Sequence, residues 1–236
     1  TSPPRRSGGT CHTSWRPPSR SRSVRSSSEN RLARSHLKLN GLAYRTSDCV
    51  AGAVCASDEF VHRLTDINSG AAMLLGAVLD STRAASILKN LHSLHLRMRQ
   101  HSRNAGFLAE KFKELGLKVF YPGLCTHPQH ELLKSMMNEG YGFGGMLALD
   151  VGDAQTANRL MTRMQQEKVG YLAVSLGYFK TLFSAPGHST SSEIPLEERE
   201  AMGLSDGLVR FSVGLDNDIQ HSFDRIKRCL TDVLAV

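Results

Sequence analysis

Arg210 is the residue whose type and position point most clearly to chemistry. It lies in residues 207–214, where every second residue is apolar (Val209, Phe211 and Val213). This alternation predicts a strand with one apolar face and places Arg210 on the opposite face. A guanidinium fixed on a strand can donate two hydrogen bonds to one carboxylate or phosphate. The pattern alone also permits a solvated arginine at a sheet edge.

Two other stretches resemble ligand sites less well. Cys125, His127 and His130 invite a metal hypothesis, but a zinc site normally needs three or four placed ligands, so we expect none. Residues 140–145 are rich in glycine, yet they precede the strand predicted at 146–151. Phosphate-binding glycine loops follow a strand and precede a helix. We therefore interpret residues 140–145 as a flexible turn that leads into a strand.

The charge is distributed unevenly along the chain. The 236 residues carry a formal charge of +7, but residues 1–46 hold ten Lys or Arg and one acid, Glu29. The remaining residues are therefore slightly acidic, and nucleic-acid binding is not expected of the folded part, although a basic tail can bind polyanions. The five cysteines form no CxxC pair, which suits a reducing compartment. Without a long apolar run the sequence predicts no membrane span, and we expect a cytoplasmic protein.

Residues 1–40 are rich in Ser, Arg and Pro and contain few aliphatic side chains. Such a composition cannot bury enough apolar area to offset chain entropy, so it predicts disorder. Three explanations compete for this segment: an organellar transit peptide, an RNA-associating Ser/Arg segment, or sequence foreign to the fold. The chain begins at Thr1, as a fragment or a processed chain would.

The middle of the chain predicts a buried strand and a long helix. Residues 50–55 are small and β-branched, as in a buried strand, and residues 58–64 suit one or two helical turns. Apolar residues then recur at helical spacing from Ala84 to Leu115, and Gly116 occupies the usual end position. Roughly 30 residues exceed the usual length of a globular helix, so two helices with a bend near residues 92–93 are the alternative.

From residue 117 onward the pattern predicts strand, helix, strand, helix, strand, short helix, strand and helix. The strands are expected at 117–120, 146–151, 171–177 and 207–214, with a polar loop at 184–192. This order describes an α+β domain with helices layered on a small sheet.

Six stretches resemble a known family when they are taken together and in order. They are VAGAVC (50–55), LRMRQHSRNA (96–105), YPGL (121–124) with HPQH (127–130), YGFGG (141–145), AVSLG (173–177) and GLVRFSVG (207–214). They resemble the carboxyl-terminal half of the pyridoxal-phosphate enzymes of cysteine and methionine metabolism. That group includes methionine γ-lyase, cystathionine γ-lyase and cystathionine γ-synthase.

The resemblance implies an α/β protein with the aspartate-aminotransferase-like fold of type I pyridoxal-phosphate enzymes. Residues 48–82 then correspond to the end of the large, cofactor-binding domain, and residues 83–116 to a long linking helix. Residues 117–236 correspond to the carboxyl-terminal α+β domain. Residues 1–47 match nothing in the family, which favours the third explanation for the tail.

The resemblance also implies a cofactor, a substrate and two site residues. The cofactor is pyridoxal 5′-phosphate, which forms a Schiff base and acts as an electron sink while a thiol leaves the substrate. Arg210 corresponds to the arginine that binds the substrate α-carboxylate, and Ser175 to a serine of the same pocket. The expected partners are a sulfur-containing amino acid and further copies of the chain, since the family forms tetramers.

The family's lysine motif is where this sequence departs from the pattern. The family carries S-x-[ST]-K-[YF], with the lysine seven residues before an aspartate. Asp48 corresponds to that aspartate, but Gly41 stands seven residues before it and Lys38 ten. Lys38 is therefore the Schiff-base candidate only if three residues are inserted.

Two functional hypotheses follow. The first is a truncated pyridoxal-phosphate-dependent sulfur amino-acid lyase that carries out γ-elimination on methionine- or cystathionine-type substrates, as in transsulfuration. The alternative is an inactive remnant that at most associates with intact subunits, because a site without its lysine and cofactor cradle cannot run the reaction.

Overall fold

The structure is a computed structural model that describes residues 51–188, 194–201, 203 and 205–234, together with the backbone of 35–38. The strands are β1 (Ser35–Lys38), β2 (Gly52–Cys55), β3 (Lys118–Phe120), β4 (Met146–Asp150), β5 (Tyr171–Leu172), β6 (Leu182–Ser184) and β7 (Leu208–Ser212). The helices are α1 (Asp58–Thr65), α2 (Ala71–Leu74), α3 (Ser81–Leu91), α4 (Leu94–Glu114), α5 (His130–Met136), α6 (Ala154–Gln166), α7 (Leu196–Ala201) and α8 (Ile219–Leu234), with a 3-10 turn at Pro186–His188. No helix in these ranges is both long and apolar enough to cross a membrane.

A five-stranded sheet holds the carboxyl-terminal part together. Its strand order is β3-β4-β7-β6-β5, and every pair is antiparallel except β5 with β6. Strand β7 is central, and Arg210 lies opposite Ala148 of β4 on one side and Ser184 of β6 on the other.

The core lies between one face of this sheet and helices α4, α6 and α8. Phe211 on β7 packs against Phe112 of α4, with ring centroids 5.8 Å apart, and against Phe183 of β6 at 6.2 Å. Val209 and Val213, on the same face of β7, are fully buried. The predicted apolar face of residues 207–214 is therefore confirmed.

Helix α6 begins where its sequence signals predict. The side chain of Asp153 accepts a hydrogen bond from the Thr156 N–H at 2.8 Å and caps the first turn. The four side chains expected on its apolar face are all buried: Ala157, Leu160, Met161 and Met164. The apolar face of α8 is likewise buried at Phe223, Ile226 and Leu230.

The long apolar repeat forms two helices. Helix α3 ends at Leu91 and α4 begins at Leu94, so the break falls at residues 92–93, where the sequence predicts a bend. Arg97 of α4 holds this junction, because its Nη2 donates to the carbonyl oxygen of Asn90 at 2.8 Å.

Two expectations from the sequence are wrong in detail. The predicted buried strand forms as β2, but its Val54 side chain is 48% exposed, because within the described ranges β2 pairs only with β1 in a two-stranded sheet. The strand predicted at 171–177 ends at Leu172, and a separate strand, β6, includes Ser184, which was expected to open a loop. Residues 35–38 form β1, and the disorder predicted for residues 1–40 otherwise falls outside the described residues and stays a prediction.

Candidate carboxylate-binding site

Arg210 is held at the centre of the sheet by the residues around it. Its neighbours Val209 and Phe211 point into the core and are fully buried, so the strand cannot rotate. Arg210 itself is half-buried on the opposite face. A guanidinium on such a strand has a fixed starting position and only its own side-chain torsions free.

Most hydrogen-bond donors of the Arg210 guanidinium have no partner among the described residues. Its Nη2 donates one long hydrogen bond, 3.4 Å, to the carbonyl oxygen of Ser175. Among the described residues it has no carboxylate partner. Burial lowers the pKa of Arg210 from its ordinary value, but an arginine side chain remains charged in proteins. A half-buried charge with free donors is a site for an anion.

Ser175 reaches Arg210 through its backbone. Its side chain is exposed, while its carbonyl oxygen accepts the hydrogen bond from Arg210. The loop after it is fastened to β7, because the Gly177 N–H donates to Ser212 Oγ at 2.8 Å. Gly177 has a φ of +72°, a left-handed conformation that favours glycine. The structure thus brings Ser175 and Arg210 together, and the role of the Ser175 hydroxyl stays a prediction.

Ser184 is a candidate site residue that the sequence did not reveal. It lies directly opposite Arg210 in the β6–β7 pair, so the two side chains share one face of the sheet. Its side chain is only 3% exposed, and its Oγ has no hydrogen-bond partner. Buried hydroxyl groups without partners are rare in folded proteins. The register of β6 against β7 is the only signal that identifies Ser184, and the sequence pattern did not predict β6.

Lys38 is the last residue of β1, where its backbone pairs with Gly52. Its side chain and Asp48 lie outside the described part of the chain. The Schiff-base role of Lys38 therefore stays a prediction.

Two polar side chains of α4 fix the end of β7. Nδ1 of His101 donates to the carbonyl oxygen of Val213 at 2.6 Å. Nδ2 of Asn104 donates to the carbonyl oxygens of Gly214 and Asp216 at 2.9 and 2.8 Å. Burial lowers the pKa of His101, with a smaller contribution from nearby Arg97, while the hydrogen bond to Val213 opposes the shift. A neutral, buried His101 thus holds the strand that carries Arg210.

The glycine-rich turn before β4 is fixed in the same way. Ser102 Oγ accepts a hydrogen bond from the Gly144 N–H, and the Tyr121 hydroxyl donates to the Gly144 carbonyl oxygen, both at 3.0 Å. A side chain at Gly142 would collide with Ser102, so glycine is required for this close approach. The turn leads into a strand as expected, but these contacts hold it against α4.

The two histidines of the metal hypothesis both have structural partners. Nδ1 of His130 is hydrogen-bonded to the carbonyl oxygen of Pro122 at 2.8 Å, and its ring stacks on Phe143 at 4.7 Å. Nδ1 of His127 accepts from the Gln129 N–H at 3.2 Å. No group of three His, Cys, Asp or Glu residues in the described ranges is arranged to hold a metal ion.

A family model for Cys/Met metabolism PLP-dependent enzymes matches residues 44–226. The chain belongs to this family. The resemblance predicted from the six stretches is thereby confirmed, and it now rests on most of the chain.

Curated relatives give the same result. The chain is 44% identical to methionine gamma-lyase of Arabidopsis thaliana over 183 residues, which are 77% of this chain and 42% of that protein. It is 36% identical to L-methionine gamma-lyase of Fusobacterium nucleatum subsp. polymorphum over 188 residues, 76% of this chain and 46% of that protein. The chain therefore spans less than half the length of these curated relatives.

The fold matches a solved member of the family. The crystal structure of cystathionine gamma-lyase from yeast superposes with a TM-score of 0.75 at 29% identity, over 84% of this chain and 50% of that one. The predicted α/β fold of the type I pyridoxal-phosphate enzymes is confirmed.

The described residues fit part of what a pyridoxal-phosphate enzyme requires. Arg210 supplies a half-buried positive charge and Ser184 a buried hydroxyl on the same face of the sheet. The described residues therefore show an arginine without a carboxylate partner beside a buried serine hydroxyl.

Proposed function

We propose that this chain supplies the carboxylate-binding part of a pyridoxal-phosphate-dependent carbon–sulfur lyase that acts on a sulfur-containing amino acid. The observation that carries the proposal is the guanidinium of Arg210, which is half-buried on a central strand and lacks a carboxylate partner among the described residues. An α-amino acid brings the complementary group, because its carboxylate has two oxygens for the two parallel donors of arginine.

The neighbours of Arg210 suit a bound carboxylate. The hydroxyl of Ser184 can donate to a ligand oxygen or accept from the guanidinium, and either contact would satisfy its buried oxygen. The loop at Ser175 closes one side of the guanidinium and is held by Ser212. Together these groups would fix the orientation of an amino acid at its carboxylate end.

The class of substrate is supported by the relatives. They are named methionine gamma-lyase, cystathionine gamma-lyase and cystathionine beta-lyase. Each of these names describes an enzyme that breaks a carbon–sulfur bond. We extend γ-elimination on a methionine- or cystathionine-type substrate to this chain as a proposal. A cytoplasmic location is part of the same proposal.

The carboxylate contact can be tested by binding alone. Saturation-transfer NMR on the full chain should show tighter binding of L-methionine than of 3-(methylthio)propylamine, which lacks only the carboxylate. Arg210→Gln should weaken methionine binding by about tenfold or more and remove the difference between the two compounds.

Arg159→Gln is a matched control, because it removes an exposed arginine of α6 that makes no hydrogen bond with Arg210, Ser175 or Ser184 among the described residues. It should leave both affinities unchanged. Equal binding of the two compounds by the wild-type chain, or full binding by Arg210→Gln, would contradict the proposed role.

The proposed Schiff-base role of Lys38 requires a separate experiment. Incubation of the full chain with pyridoxal phosphate, reduction with borohydride and peptide mass analysis should locate the modified lysine. We expect it at Lys38, with the modification lost in Lys38→Ala. Modification only at other lysines would remove Lys38 from the site and favour a chain without activity of its own.

A second candidate function is association with further copies of the chain. Large apolar side chains are exposed along residues 67–96: Ile67, Met73, Leu74, Leu75, Val78, Leu79, Leu88, Leu91 and Leu96. Leu75 and Val78 are 81% and 85% exposed. Apolar surface of this extent usually marks a contact with another protein.

The association is testable by sedimentation velocity. The chain should sediment as an oligomer, and Leu75→Glu combined with Val78→Glu should yield monomers. Leu132→Glu, which alters an exposed leucine of α5, should leave the oligomer intact. A wild-type chain that stays monomeric at every concentration would contradict this function.

A further inference from the structure

A cavity without an assigned role lies where strands β5 and β6 begin, beside α8. Its volume is about 430 Å³, and its polar lining residues are Lys168, Tyr171, Lys180, Asp216, Ser222 and Arg225. We call it the basic cavity. Neither Arg210, Ser175 nor Ser184 lines it, so it is distinct from the carboxylate site. Its volume falls within the range of small-molecule sites.

Three cations from three different elements meet at the basic cavity. Lys168 follows α6, Lys180 precedes β6 and Arg225 lies on α8. None of the three makes an ion pair or a side-chain hydrogen bond within the part of the chain that the structure describes. Like charges that converge with fewer counterions than cations repel one another, and a bound anion would relieve that repulsion.

Asp216 provides the only acidic side chain of the lining. Its Oδ2 accepts a hydrogen bond from Ser222 Oγ at 3.1 Å. Three cationic groups and one carboxylate leave the basic cavity with two uncompensated positive charges. That balance is best matched by a single dianion.

Lys168 is held in an unusual backbone conformation. Its φ of +54° makes it the one non-glycine residue with positive φ among the described residues. It ends α6, where its N–H donates to the carbonyl oxygen of Gln165 and the next N–H, of Val169, donates to that of Met164, both at 3.0 Å. Glycine is usual at this helix-end position because a side chain there is strained. The lysine therefore occupies a place that backbone energetics alone would give to glycine.

We propose that the basic cavity binds a phosphate dianion, either free or as the monoester of a small metabolite. A phosphomonoester carries about −1.5 to −2 charges at pH 7, and its dianionic form matches the two uncompensated positive charges. Its oxygens can each accept a charge-assisted hydrogen bond from a different cation. A monocarboxylate would leave one positive charge uncompensated.

Equilibrium dialysis of the full chain with radiolabelled inorganic phosphate at low ionic strength tests the proposal. We expect binding at one site, with Lys180→Gln and Arg225→Gln each weakening it by about tenfold. Lys89→Gln, which removes an exposed lysine of α3, should leave the affinity unchanged. Absence of phosphate binding, or equal weakening by Lys89→Gln, would overturn the proposal.

Two comparisons sharpen the result. Glycerol 3-phosphate that binds more tightly than inorganic phosphate assigns the site to a phosphomonoester, and equal affinity assigns it to free phosphate. Arg210→Gln should not change phosphate binding. Loss of binding in that variant would mean that phosphate occupies the carboxylate site and would refute a separate basic cavity.

Lys168→Gly makes the sharpest test, because the proposal predicts that this variant has a higher melting temperature but a lower affinity for phosphate. Without phosphate the melting temperature should rise, since glycine adopts a positive φ without strain. Phosphate affinity should fall about tenfold at the same time, because one cation is removed. Unchanged phosphate affinity in Lys168→Gly would show that its amine does not hold the anion and would overturn the assignment.

Discussion

The layer around β7 and the segment from β2 to α3 differ in what their apolar side chains do. Helices α6 and α8 each bury four residues, whereas α1 and α2 bury none and α3 buries only Ile87. Both regions are amphipathic and rich in leucine or valine. The difference is that the sheet around β7 provides a facing layer, while among the described residues the segment 67–91 is covered only locally, where Ile87 of α3 is buried. A hydrophobic pattern is therefore sufficient for a helix but not for a core.

Removal of a side chain from each region should show this difference most strongly. Phe211→Ala should destabilise the protein by about 3–5 kcal/mol, because it leaves a cavity between Phe112 and Phe183. Leu74→Ala should change stability by less than about 0.5 kcal/mol, because Leu74 is 66% exposed. Urea denaturation followed by circular dichroism measures both, and a comparable loss in the two variants would remove the distinction between the regions.

Removal of a polar contact that fixes β7 should cause the next largest loss of stability. Asn104→Ala leaves the buried carbonyl oxygen of Gly214 without its donor and leaves that of Asp216 with only the 3.4 Å bond from Gln100 Nε2, so we expect a loss of about 2 kcal/mol. Gln220→Ala is the control, since its amide bonds only to Asp224 on an exposed turn of α8. Equal effects in denaturation would mean that Asn104 does not fasten the strand.

The stability of the β7 layer should depend on pH through His101. Burial lowers the pKa of His101 below its ordinary value of 6.5, so the unfolded chain binds the proton more tightly. The contribution is present above pH 6.5 and is lost as the pH falls through the folded-state pKa. For one proton, the slope is at most about 1.4 kcal/mol per pH unit.

Denaturation between pH 5 and 8 measures that slope, and His101→Gln should reduce it. His62→Gln, in exposed α1, should leave the slope as it is in the wild type. Stability that rises as the pH falls in this range would contradict the assignment of a neutral, buried His101.

The smallest expected difference in stability is between alanine variants of the two serines on the Arg210 face, Ser212 and Ser184. Ser212→Ala should cost about 1 kcal/mol, because the buried Gly177 N–H loses its acceptor. Ser184→Ala should cost nothing or stabilise slightly, since its Oγ has no partner to lose. The same Ser184→Ala should weaken L-methionine binding several-fold in NMR titrations. An unchanged methionine affinity would show that Ser184 does not take part in the carboxylate site.

Periodicity predicted the elements that have a clear inside and outside. The faces of β7, α6 and α8 follow from apolar spacing alone, because each buries a regular row of side chains. Strand β6 was missed, since it is three residues long and all three are buried, so it shows no alternation. The exposure of Val54 could not be predicted, because a small β-branched run has the same pattern with or without a covering layer.

The candidate site was predictable only in part. Arg210 follows from strand alternation, which places it on the face opposite Val209 and Phe211, and from the family resemblance. Ser184 depends on strand register, and the fastening of β7 by His101 and Asn104 depends on contacts between residues more than 100 positions apart. Pairings at such separation leave no trace in local spacing.

The double hydrogen bond from Asn104 has a thermodynamic consequence for ligand capture. It ties the backbone a few residues beyond Arg210 to α4, while Val209 and Phe211 anchor the strand in the core. The backbone is thus already ordered before an anion arrives. The entropy lost on binding is then confined to the torsions of one side chain, about 0.5–1.5 kcal/mol, and the rest of the interaction energy is available as affinity.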